Sequence, residues 1–229
     1  MDKVFRALLT SLLGMAAFAF WMWIYPQALS YQEQNQLFLF TWDYLGERVS
    51  LPGGPADYVS EFLVQFFLYR AAGALIMALL LVLLQRAVWR AALSAGFSGK
   101  RGAYVLTAIP SLLVLVHMGD VEVLVSFLVA LTASVALCPL FIKAGWRRLW
   151  LIPAAWWLIG PMVVVPVLVS AIQRHKADDL ILIIYTILIF LVGHRLFTPQ
   201  YTPRDAFFGL NYYRLVESLP KLQVIIPLA

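Results

Sequence analysis

The side chains that could do chemistry fall in three short acidic stretches and a scatter of cations. Glu33 sits in Ser30-Tyr-Gln-Glu-Gln-Asn-Gln36, directly after an apolar run. A carboxylate there could take a proton from a substrate hydroxyl as a general base. The same residues also fit a helix-capping pair, Ser30 with Glu33 three positions on. Asp57, Glu61 and Gln65 recur at every fourth position, with Ser60 beside them. That spacing puts them on one helix face, either lining a polar cleft or facing water. Asp120 and Glu122 form Gly119-Asp-Val-Glu122 close to His117. Two carboxylates and an imidazole could hold a divalent metal ion, the one cofactor this sequence suggests. Polar residues that simply end an apolar run would look the same. Arg48, Arg70, Arg174 and Lys176 could offset the charge of a lipid phosphate. Arg70 lies inside an apolar stretch, where a cation must snorkel or pair. Pro52-Gly53-Gly54 could turn backbone N–H groups toward an anion, or be a plain tight turn.

Composition decides what must position these groups. Of 229 residues, 62% are apolar or aromatic and 13% are charged. Soluble domains run near 45–50% and about 25%. A soluble globule of this size would have a greasy surface, so a polytopic all-α membrane bundle is expected. Disorder and a disulfide-stapled module are excluded by the same arithmetic, together with the single Cys138. Seventeen Lys and Arg stand against twelve Asp and Glu. The cations lie between apolar runs, so they report topology and give no reason to invoke nucleic acid.

A spanning helix needs about 20 apolar residues. Six runs qualify: 7–25, 66–84, 103–118, 121–142, 149–172 and 179–196. The fifth carries Pro153, Pro161 and Pro166 and is either one kinked helix or two, so the bundle has six or seven spans. The first run is longer than a signal-peptide core and ends in Trp21, Trp23 and Tyr25, which favours a retained helix. With the N-terminus cytoplasmic, Lys3, Arg6, Arg86, Arg90, Lys100, Arg101, Lys143, Arg147, Arg148, Arg195, Arg204, Arg214 and Lys221 fall inside. Arg48, Arg70, Arg174 and Lys176 fall outside. Most carboxylates are then outside as well.

The transmembrane unit is expected over 1–197, with its longest outer loop over 26–65. Leu37, Phe38, Leu39, Phe40, Trp42 and Tyr44 are too apolar for free solution, so that loop should lie on the membrane surface as helix, turn, helix. Residues 198–229 read as an amphipathic tail with an apolar end, as a truncated longer protein would have. The chain has no GxxxxGK[ST], HExxH or GxSxG motif. Ionisable residues deep inside the runs are scarce, which counts against ion-coupled transport.

Two resemblances follow. Glu33-Gln-Asn-Gln-Leu-Phe38, Pro52-Gly-Gly54, Tyr58 and Glu61-Phe-Leu-Val-Gln-Phe66 resemble the N-terminal region of an uncharacterised family of bacterial multi-spanning membrane proteins. That resemblance implies a bacterial cytoplasmic-membrane protein. The layout is also similar to C-type-fold glycosyltransferases, with an acid after the first span and a second acidic motif between spans 3 and 4. It implies transfer of a sugar from a polyprenyl-phosphate donor at the outer face. On that resemblance Glu33 would be the base, and Asp120 and Glu122 would contact a metal or the acceptor; from the residues themselves, Asp57 and Glu61 are further catalytic candidates and His117 a further metal ligand. The chain departs from that pattern in its Glu-Gln first motif, its short second outer loop and its span count. The competing expectations are a non-catalytic subunit or anchor of an envelope complex, and a lipid or small-molecule transporter.

Overall fold

The computed structural model describes residues 3–34, 36–97, 99–174, 177–197 and 199, and these form helices and turns without a strand. The tail over 198–229 lies outside the described residues, apart from position 199. Helix α1 (Lys3–Ala19) continues through a wide turn, Phe20–Ile24, into α2 (Pro26–Gln34). Then come α3 (Trp42–Val49), α4 (Gly54–Val64), α5 (Arg70–Ser94), α6 (Arg101–Leu106) and α7 (Ala108–His117). The chain continues with α8 (Val125–Lys143), α9 (Arg148–Ile159), α10 (Val164–Arg174) and α11 (Ala177–Phe197).

Among the described residues, five segments are long and apolar enough to cross a membrane: Lys3–Ile24, Arg70–Ser94, Val125–Lys143, Gly145–Arg174 and Asp179–Phe197. Arg101–His117 is a shorter apolar stretch. Helices α5 and α8 form the centre, and Met77, Leu81, Leu84, Phe127, Leu128 and Phe141 are buried between their neighbours. The opposite face of α5 exposes Leu75, Leu79 and Leu83, and α1 exposes Leu8, Leu12 and Met15. A helix apolar all round is what a bilayer accommodates. Without a hydrophobic drive between helices in lipid, small polar side chains join them. The Thr10 and Tyr104 hydroxyls lie 2.6 Å apart, Ser111 donates to the Leu81 carbonyl (3.1 Å), and Ser134 donates to the Met162 carbonyl (2.8 Å).

The Gly145–Arg174 segment does not cross as one helix; of the two readings open over 149–172, one kinked helix or two, the structure has two. Arg148 Nη1 reaches Ser170 Oγ at 3.3 Å and Asp179 Oδ1 at 2.7 Å. In a continuous helix, residues 148 and 170 would be about 33 Å apart. The chain therefore turns back on itself after α9. Gly160 makes the turn with φ 58, and Pro161 follows it at the start of the next short turn. Helices α9 and α10 form a hairpin whose tip, at Met162, touches Ser134 half-way along α8.

This fold-back changes the sidedness of the charges. Arg101 stacks on Phe5, placing the starts of α6 and α1 together. Gly96, just after α5, approaches Gln173 near the end of α10. The last turn of α10 is beside the start of α9 through Arg148 and Ser170. Lys3, Arg6, Arg90, Lys100, Arg101, Lys143, Arg147, Arg148 and Arg174 thus share one end, called here the basic end. Arg174 does not join Arg48 and Arg70, as the sequence had suggested, and Lys176 lies outside the described residues. Glu33, Asp43, Glu47, Asp57, Glu61, Asp120 and Glu122 belong to the opposite, acidic end.

Candidate functional site at the acidic end

The site begins with a tight helix pair. Thr41 caps α3 by accepting the Tyr44 N–H (3.3 Å). Gly53 has φ 81, and a Cβ at Gly54 would come 1.7 Å from the Arg48 carbonyl oxygen. Two consecutive glycines are therefore what lets α4 turn back against α3. Tyr44 and Arg48, four residues apart on α3, then face Glu61 on α4. Arg48 Nη2 lies 2.9 Å from Glu61 Oε1, and the Tyr44 hydroxyl donates to Glu61 Oε2 at 2.5 Å. Arg48 also donates to the Tyr44 oxygen (3.2 Å), with its guanidinium 5.0 Å above the Tyr44 ring. Phe38 packs against Tyr44, Tyr58 and Phe62 and closes one side.

Asp57 sits one turn before Glu61, as the four-residue spacing requires, but turns toward α8. Its Oδ1 is shut off from solvent and has no hydrogen-bond partner among the described residues. Burial pushes the carboxyl up, and the neighbouring Glu61 charge adds to that. A hydrogen bond from Ser126 and the Arg48 charge pull the other way without cancelling it, and Asp57 titrates at about 8. The residue as a whole is half-buried, and Oδ1 is its atom shut off from solvent. Arg48 Nε is a second buried atom with no hydrogen-bond partner among the described residues. An unused donor and an unused acceptor thus belong to one cluster. Gln65 does not extend this face: α4 ends at Val64, and Gln65 Nε2 bonds the Phe62 carbonyl at the surface.

The other expected site residues are arranged differently. Helix α2 starts at Pro26, so Ser30 and Glu33 lie inside it and do not form a capping pair at its start. Glu33 is half-buried. Its neighbour Gln32 is the anchor: Nε2 donates to the carbonyls of Val121 and Val123, both at 2.8 Å. That bond fixes α2 to the turn carrying Asp120 and Glu122, a turn that leads into Ser126. Asp120 is exposed, and its Oδ1 accepts the Glu122 N–H at 3.1 Å. His117 is 2% exposed, with its ring edge-on to Phe127. Asp120, Glu122 and His117 are not brought together as ligands: among the described residues, no three His, Cys, Asp or Glu side chains are grouped to hold a metal ion. Arg70 donates Nε to the Met22 carbonyl at 2.5 Å, satisfying an open backbone group in the wide turn after α1.

Sequence reasoning missed Tyr44, Ser126 and Gln32. The Tyr44–Arg48 spacing was a usable signal. Nothing local to Ser126 or Gln32 points to partners some seventy to ninety positions away. It also missed the pair formed by Arg148 and Asp179, each side chain 5% exposed, at the basic end.

A family model described as a family of unknown function (DUF6057) matches residues 3–229. No curated protein and no solved structure matches the chain.

Proposed function

The chain belongs to that family of unknown function, and from the site we propose a polytopic membrane enzyme whose chemistry lies at the acidic end, with Asp57 as the group that moves a proton. The observation that carries this reading is the Asp57 carboxyl: buried, with one oxygen unpartnered, beside the Arg48–Glu61 pair. A catalytic base works best when its pKa is near the working pH, and a carboxyl titrating at about 8 is close to it. The reaction class is transfer to a hydroxyl from a polyprenyl-phosphate-linked sugar, in the manner of C-type-fold glycosyltransferases. Asp57 takes the acceptor proton in place of Glu33. Arg48, held by Glu61 and Tyr44, faces the leaving phosphate. In this reading the basic end and the N-terminus face the cytoplasm of a bacterial cell, an orientation that the gathered cations support through the positive-inside rule. The acidic end then faces outward.

The test is donor turnover in membranes holding the chain at equal levels, with release of polyprenyl phosphate as the readout. Asp57→Asn should lower the rate at least about a hundredfold. The wild-type rate should rise with pH up to about 8, because the deprotonated carboxyl is the active form. Unchanged turnover in Asp57→Asn removes the assignment.

A second reading, transport of a lipid or small molecule, draws on the α9–α10 hairpin. Interrupted helices that end inside a bundle are a feature of transporters. Uptake or efflux without donor cleavage, lost when the Met162 turn is altered, would favour it.

A further inference from the structure

A groove of about 490 Å³ lies between α5, α6–α7, α8 and α10, and Asp57 is not among its lining residues. Its walls include Leu84, Val88, Ala91, Leu113, Leu131 and Val169. The two polar side chains in the lining are already used: Thr107 donates to the Tyr104 carbonyl (2.6 Å) and Cys138 to the Ser134 carbonyl (3.7 Å). Such a hollow has nothing to offer water and stays dry unless an apolar group fills it. One wall comes from the stretch where α6 ends at Leu106 and α7 starts at Ala108, with Leu106, Thr107 and Ile109 in the lining. Phe97, Leu106 and Ile109 at its rim are exposed. The groove therefore opens sideways to lipid.

One end of the groove meets the basic end of the bundle. Arg90 precedes the lining residue Ala91, and Lys100 lies between the lining residues Phe97 and Ala103. Arg174 follows Gln173, which approaches Gly96 at the same mouth. Among the described side chains, the acid at this end is Asp179, already paired with Arg148. We propose that the groove holds one hydrocarbon chain of an anionic membrane lipid, with the head group held by Arg90, Lys100 and Arg174. The apolar walls take the chain, and the uncompensated cations select the charge.

The experiment purifies the full chain in a mild detergent and reads bound lipid by native mass spectrometry. The delipidated protein is then titrated with phosphatidylglycerol and with phosphatidylcholine. Wild type should carry one anionic phospholipid per chain and prefer phosphatidylglycerol. Ala92→Phe and Ala103→Phe, at half-buried lining positions, put a ring into the groove and should remove that lipid. Arg90→Gln with Lys100→Gln leaves the walls intact and should weaken the phosphatidylglycerol preference about fivefold for each cation removed. Equal affinity for the two lipids in wild type overturns the proposal. So does stoichiometric lipid in the filled variants, or an undiminished preference in the double Gln variant, which remains decisive if the filled variants fail to fold.

Discussion

Removing one partner of the Arg148–Asp179 pair tests the fold-back directly. The two groups are 2.7 Å apart and each side chain is about 5% exposed. Breaking a buried ion pair from one side leaves an uncompensated charge and costs about 3–5 kcal/mol. Arg148 would keep the Gly145 carbonyl at 2.9 Å and Ser170 at 3.3 Å, so Asp179→Ala should fall toward the lower end, about 3 kcal/mol. Asp179→Asn retains a neutral acceptor and should cost less, about 1–2 kcal/mol. Replacing both, Arg148→Met with Asp179→Leu, removes the charge problem and should return stability to within about 1 kcal/mol of wild type. The assay is reversible unfolding in mixed micelles, read as a double-mutant cycle. The expected coupling exceeds about 2 kcal/mol. If 149–172 crossed as one helix, the two residues would be separated by a bilayer core of about 30 Å, and their effects would simply add. Additive single-mutant effects refute the hairpin and the sidedness of Arg174.

Three further outcomes follow from the acidic end. Asp57 is raised from 3.8 to about 8, so the folded state holds a proton that the unfolded chain releases earlier. Its contribution is fully present below pH 4 and is lost as pH rises through 8, at about 1.4 kcal/mol per pH unit within that window; Asp57→Asn should flatten that component of a stability–pH profile. Tyr44→Phe removes a donor from Glu61 and should cost about 1 kcal/mol in the same unfolding assay. Gly54→Ala, whose Cβ would strike the Arg48 carbonyl, should cost about 3 kcal/mol, whereas Gly46→Ala, with nothing within 4 Å, should stabilise α3 by up to about 1 kcal/mol in thermal melts.

The helices were legible because an apolar run of spanning length has few other uses. Their direction was not. Hydropathy over 149–172 measures how much apolar chain is present, and a hairpin contains as much as a crossing does. Pro153, Pro161 and Pro166 announced a break without giving its angle. That depends on the positive φ of Gly160 and on an ion pair spanning 31 positions. The error then spread: a crossing assigned to 149–172 put Arg174 on the wrong side. At the acidic end, the spacing of Asp57 and Glu61 correctly placed both on one side of α4. It could not show that Asp57 turns to α8 while Glu61 turns to α3, because that division belongs to tertiary packing. Asp120 and Glu122 were legible as turn residues, and the Asp120 bond to the Glu122 N–H shows the local use of that carboxylate.

The two surprises are physically joined. The Gly53 N–H donates to the Trp157 carbonyl at 2.8 Å, and Trp157 Nε1 donates to the Val49 carbonyl at 2.8 Å. Helix α9 thus ends against the start of α4, with the open carbonyl of one meeting the open N–H of the other. Each supplies what the other lacks, and in an apolar bundle an unmade backbone bond would cost several kcal/mol. Val49 adjoins Arg48, and Gly53 begins the turn of helix that carries Asp57. The hairpin anchored at the basic end by Arg148 and Asp179 therefore sets the position of the turn on which Arg48 and Asp57 depend. A chain with α9 displaced could keep every helix and still lose the separation between an ion-paired Glu61 and a proton-holding Asp57, the feature on which the proposed chemistry rests.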